Sequence, residues 1–157
     1  GMDSMTVDDN ALMMQVFSSV FENFAFMFVE DDPGEEESGA QGPFLQAEIS
    51  FKSKDVAGVM EIAAPVGFCN ELAENILGDE GADIPEGAGE NALKEVLNVS
   101  CGYLLAEKFG TEEVFDLSIP KIRGGSEKQW NALLEGGAYD VFLIDEAPLL
   151  ARLALQP

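Results

Sequence analysis

Apolar positions recur along the chain in two rhythms, and the change of rhythm marks the elements. Residues 8–29, "DDNALMMQVFSSVFENFAFMFV", repeat at spacings of three and four. This predicts a long first helix, capped by Asp8, Asp9 or Asn10, with its Met- and Phe-rich face in the core. "EDDPGEEESGAQGP" (30–43) breaks the rhythm and reads as a solvated acidic connector. In "FLQAEISFKSKDVAGVMEIAAP" the period falls towards two, which predicts two strands around a turn at Ser53–Asp55. A second helix follows over 66–78, closed by Gly78, then a loop over 79–89 and a third helix stopped by Gly110. "VFDLSIPKI" (114–122) is a strand pattern in which Pro120 implies an edge or a strand end. "AYDVFLID" and "LLARLALQ" read as two last strands around Glu146–Pro148, the second also compatible with a short helix. The predicted order is αββααβββ, an α+β fold with long helices packed on a mainly antiparallel sheet.

The third helix, "NALKEVLNVSCGYLLAEKFG" (91–110), has an unusual polar side. Asn91, Glu95, Asn98 and Gly102 follow at spacings of four, three and four, which places them on one stripe. Leu93, Val96, Leu97, Cys101, Leu104 and Leu105 form the opposite, core-facing side. Solvated helix faces ordinarily carry Lys and Glu, whereas Asn and Gly weaken a helix. A plain solvated face with a tolerated amide would account for Glu95 and Asn98, and so would a face kept for function. Ser18, Glu22 and Ala25 of the first helix share the same spacing, as in an internal duplication whose first copy lost its Asn, or by chance. Glu71 and Asn75 share a face of the second helix and read as ordinary surface, and Trp130 reads as a packing anchor.

Composition narrows the classes. The 157 residues suffice for one domain with a real core, and 46% of them are hydrophobic, which argues against disorder throughout. Residues 1–7 read as an expression remnant and flexible N-terminus, and 8–157 as a single domain. The net charge is −22, with only eight scattered basic residues, so neither nucleic acid nor an anionic membrane surface is an expected partner. No run of 18 or more apolar residues and no signal-peptide pattern appears, and a cytoplasmic location is expected. Without any histidine, His-based triads, imidazole metal sites and His general bases are excluded. Cys69 and Cys101 fall on apolar helix positions and are expected as buried free thiols.

With these residues in order, the chain resembles the CheC/CheX/FliY family of bacterial chemotaxis phosphatases, most closely the single-motif CheX branch. The resemblance rests on "ENALKEVLNVSCGYLL", which supplies Glu95 and Asn98 in the family's Asp/Ser-x3-Glu-x2-Asn pattern, with Gly102 four residues on. It continues through "VFDLSIPKIRGG", the hairpin "GVMEIAAP" and the helix "ELAENILGDE", and covers roughly residues 8–155. Asn91 departs from the family's Asp or Ser, and Ala25 replaces the Asn of a possible first motif, leaving one active face.

The resemblance implies a CheC-like fold and a phosphatase that removes the phosphoryl group from the aspartate of a CheY-like response regulator. Glu95 and Asn98 would be the catalytic pair, with Asn91 and Gly102 as partner-binding positions. No metal or other cofactor is expected on this chain, the Mg²⁺ belonging to the partner regulator. The alternative is a non-catalytic module of the same fold that docks a regulator or a motor-switch-type partner. CheX-like relatives also suggest a homodimer through strands of the sheet, and the apolar final strands, without lysine, would offer the edge.

Overall fold

The computed structural model describes residues 6–31, 39, 42–78 and 84–156. Helix α1 (Val7–Ala25) starts under a cap that the apolar pattern did not indicate: Thr6 Oγ1 accepts from the Asp9 N–H at 3.0 Å. Asp9 lies within the first turn, where it pairs with Lys108 at 2.6 Å. The helix also ends earlier than the expected Val29, because Phe26 turns left-handed at φ 57°. The main chain is captured there by another segment. Phe28 donates its N–H to Asp145 Oδ1 and accepts the Asp145 N–H, both at 2.9 Å. Val29–Asp31 then form a short strand, β1, that the polar sequence did not reveal.

Strands β2 (Phe44–Lys52) and β3 (Ala57–Pro65) are the expected hairpin, with Ser53 closing the turn through its N–H to Val56 O at 2.7 Å. Helix α2 (Val66–Leu77) ends at Gly78 as expected, and α3 (Ala88–Phe109) ends before Gly110. The single strand expected over 114–122 is two: β4 (Asp116–Leu117) and β5 (Lys121–Gly125), both paired with β2. The fourth helix, α4 (Glu127–Gly136), was not anticipated, although Ser126 and Gln129 form a full capping box in front of it. The last two elements, β6 (Asp140–Ile144) and β7 (Ala147–Gln156), are both strands. Their turn falls at Asp145–Glu146, both at positive φ, and Pro148 lies inside β7 rather than in the turn. Of the acidic connector over 30–43, most lies outside the described residues, as does part of the loop over 79–89.

The seven strands among the described residues form one antiparallel sheet in the order β1-β6-β7-β3-β2, with β4 and β5 sharing the outer edge of β2. The α+β class and the helices on an antiparallel sheet are therefore as expected. One inference drawn from the sequence fails. The apolar final strands are not edges: β7 is flanked by β3 and β6, and β6 by β1 and β7. A homodimer through those strands loses its physical basis, since their backbone groups already pair within the chain.

Alternation divides the sheet into two faces. On one, Ala47, Ile49, Met60, Ile62, Phe142 and Ala151 pack under α1, α2 and α3 in the main core. On the other, Phe44, Ala63 and Leu150 pack under Trp130 of α4, with the Phe44 and Trp130 rings edge-on at 5.4 Å. Trp130 is thus the packing anchor the sequence suggested. Beside it, Glu61 lies almost wholly buried and accepts from Arg152 at 2.6 Å and from the Tyr139 hydroxyl at 3.0 Å. Gln46 donates to Tyr139 at 3.0 Å and accepts from Arg123 Nε at 3.2 Å, so the buried carboxylate sits inside a connected polar network. Burial, and then the Glu61 charge, push the Tyr139 hydroxyl up to about 12.

Cys69 and Cys101 are free and buried as expected, and burial pushes each thiol from an ordinary 9.0 up to about 12. Below pH 9 the thiols are protonated in both the folded and unfolded chain. Above it the unfolded chain releases its thiol protons while the folded chain keeps them, so stability falls as the pH rises from about 9 towards 12. Urea midpoints measured across that range are expected to decline steadily. A chromogenic disulfide reagent at pH 8 is expected to react with neither thiol until denaturant is added.

Candidate functional site

Helix α3 is held on three sides before its outer face is considered. Leu93, Leu97, Cys101 and Leu104 are fully buried, with Val96 and Leu105 at 2% exposure. Near the N-terminus, Gly89 lets α3 approach α2 closely, because a Cβ there would sit 2.5 Å from Asn70 Oδ1 and 3.3 Å from the Cys69 carbonyl carbon. Near the C-terminus, the Lys108–Asp9 pair ties α3 to α1. Neighbouring Asn75, read from sequence as plain surface, donates to the Ala25 carbonyl at 2.8 Å and satisfies an orphan acceptor at the end of α1. Glu71 is exposed, as that reading held.

With the helix so fixed, the face left to solvent is the polar stripe. Asn91, Glu95, Asn98 and Gly102 are all exposed, and the structure brings all four together on one side of α3. Among the described residues, none makes a hydrogen bond or ion pair with the side chains of Asn91, Glu95 or Asn98. An amide with one acceptor and two donors stands one turn from a carboxylate, both without internal partners. That set can bind and orient a polar group brought to it. The first-helix counterpart fails, since Ala25 is fully buried; α1 carries no second stripe.

Two hollows flank the stripe. On one side, Asn91, Lys94, Glu95 and Asn98 form a wall of an open groove of about 460 Å³, faced by Ser118, Ile119 and Pro120 of the β4–β5 connector. On the other, Asn91 and Glu95 border a more apolar hollow of about 320 Å³, lined by Ile76 and Leu77 of α2 and by Pro85 and Ala88. The connector residues were not expected at the site. Pro120 is the only sequence sign, implying an edge or a strand end, and β4 and β5 do lie on the outer edge of β2. Among the described residues there is no group of three or more Cys, Asp or Glu placed to hold a metal ion, and no helix is long and apolar enough to cross a membrane.

No family model matches the chain, and no curated protein matches it. Solved structures do. The fold is that of CheC-like chemotaxis proteins, an antiparallel sheet carrying long helices over nearly the whole chain. CheX from Vibrio vulnificus is 13% identical, with 96% of this chain and 97% of that one covered at a TM-score of 0.68. CheX from Desulfovibrio desulfuricans is 12% identical, with 96% and 100% covered at 0.68. A CheX from Borrelia burgdorferi, solved as a complex with CheY, BeF3 and Mg²⁺, is 13% identical, with 97% and 100% covered at 0.61. The resemblance to the CheC/CheX/FliY family read in the sequence therefore extends to the fold.

Gly102 provides a test of whether the stripe is shaped for this chain alone. A Cβ there would meet nothing within 4 Å. Glycine inside a helix costs about 1 kcal/mol relative to alanine. Gly102→Ala is therefore expected to raise stability by ~0.5–1 kcal/mol, seen as a higher urea midpoint at unchanged slope.

Proposed function

We propose that α3 docks on a phosphorylated CheY-like response regulator and that the chain is an aspartyl-phosphate phosphatase. The observation that carries this reading is the stripe itself: Glu95 and Asn98 are exposed and without a side-chain partner among the described residues, on a helix locked by its buried face. The structural likeness to a CheX solved with CheY supports the choice of partner.

The chemistry needs little from this side. A phospho-aspartate lies beside the regulator's own Mg²⁺ and Lys, which carry most of the charge stabilisation. What is missing is a placed water. Asn98 accepts from or donates to that water without titrating and holds it in line with the phosphorus. The water oxygen bonds to phosphorus, the bond to the aspartyl oxygen breaks, and the products are inorganic phosphate and the free carboxylate. Glu95 pairs with the regulator's Lys and sets the register, while Gly102 allows close approach and Asn91 adds a contact at the other end. The −22 charge of the chain favours a partner whose phosphoacceptor site has a basic rim. Asn91 in place of Asp or Ser favours a second reading, a docking module of the same fold without turnover.

Phosphate release from phosphorylated regulators, with and without Mg²⁺, separates the two. Asn98→Ala is expected to lower the rate ~100-fold, because it removes the group that positions the water. Its urea midpoint should match the parent, since the side chain is exposed and no cavity forms. Full activity in a folded Asn98→Ala protein would refute the positioning role; binding without phosphate release by the parent would leave the docking module.

Glu95→Ala is expected to act on binding instead. Loss of a charge-assisted contact worth ~1.5–3 kcal/mol should weaken affinity for the phosphorylated regulator by one to two orders of magnitude. Affinity equal to the parent's, measured by calorimetry, would remove the pairing with Lys.

A further inference from the structure

The connector between β4 and β5 is a β-bulge, and it presents Ile119. Three residue steps on β2, from Phe51 to Glu48, face four on the opposite chain, from Leu117 to Lys121, so one residue has no place in the ladder. Pro120 contributes no N–H to that ladder, which suits it to the interruption. The connector is nonetheless pinned. Ser118 donates its N–H to Ser50 O at 2.8 Å, and its hydroxyl accepts the Ser50 N–H at 3.0 Å. Both backbone groups of Ser50 are thereby satisfied while the extra residue is thrown outward.

Ile119 and Pro120 share the place opposite Ile49, and Ile119 is 85% exposed. A single exposed aliphatic side chain is unremarked on most proteins. This one stands opposite Glu95 and Asn98 across the same groove, on a bulge locked by two hydrogen bonds and followed by proline. Bulges re-aim side chains next to functional sites, and a fixed apolar group loses little entropy on contact.

From this placement we propose that Ile119 is a specificity-determining anchor of the docking surface, seated against an apolar patch beside the phosphoacceptor site of the same response regulator. The proposal rests on the reading of α3 as a regulator-docking face. A body that fills the groove beside Glu95 and Asn98 meets the connector as its opposite wall, and only an apolar patch gains from covering this side chain. Polar contacts along α3 then set the chemistry, while Ile119 selects among regulators that share the same phosphoacceptor residues.

The test uses the full chain and a CheY-like regulator held in its active form by beryllofluoride and Mg²⁺, with phosphate release followed in parallel. Ile119→Ser is expected to weaken binding about tenfold, which is about 1.4 kcal/mol. KM should rise by a similar factor with kcat within twofold, and the melting temperature should not move. Ile119→Val is expected to restore affinity to within threefold of the parent. If the parent binds and Ile119→Ser binds as tightly, the anchor is refuted while the docking face stands. A marked fall in melting temperature would make the residue structural and also refute it. If the parent binds no regulator, both readings fall together.

Discussion

One buried stripe on α3 determines the rest of the molecule. Six apolar residues from Leu93 to Leu105 lie at 2% exposure or less. Each contributes on the order of 1.5–3 kcal/mol by leaving water, as an upper bound. Against that, the two asparagines and the glycine of the opposite stripe cost the helix only about 2 kcal/mol together. Burial wins by several-fold, so α3 tolerates poor helix formers on its outer side and still cannot roll. The rotation that hides the leucines is the rotation that shows Glu95 and Asn98.

The second face of the sheet solves a different problem. Antiparallel sheets can leave one face wet, but α4 covers part of this one through Trp130, and a polar network fills the neighbouring ground. Burying Glu61 alone would be costly; Arg152, Tyr139 and Gln46 share the carboxylate, and Arg123 completes the chain of contacts through Gln46. Three of the chain's eight basic residues, Lys121, Arg123 and Arg152, lie in this region of an otherwise acidic protein. The network makes the face specific without enlarging the apolar core, and it holds β5 in the register from which the β4–β5 bulge emerges.

Local pattern carried the long elements. The 3.6-residue period of α1, α2 and α3, the alternation in β2 and β3, and the stops at Gly78 and Gly110 are all local properties, legible because burial on one side imposes a period. The stripe of Asn91, Glu95, Asn98 and Gly102 was legible for the same reason, since helical spacing alone decides which residues share a face. The capping box of Ser126 and Gln129 was also local, yet α4 buries only Trp130 fully, too little apolar period to announce a helix.

What only the tertiary structure decided are the features set by partners distant in sequence. Phe28 and Asp145 exchange hydrogen bonds across 117 residues and so end α1 early and make a strand of Val29–Asp31. Apolar strands near the C-terminus looked like an open edge, but strand order is a property of pairing, and β7 sits between β3 and β6. Likewise nothing local tells that the chain around Pro120 returns to β2 twice, with one residue to spare, beside α3. Periodicity along a segment reports which side is buried. It carries no record of which segment lies across from it, and the groove facing Glu95 and Asn98 depends on that second kind of information.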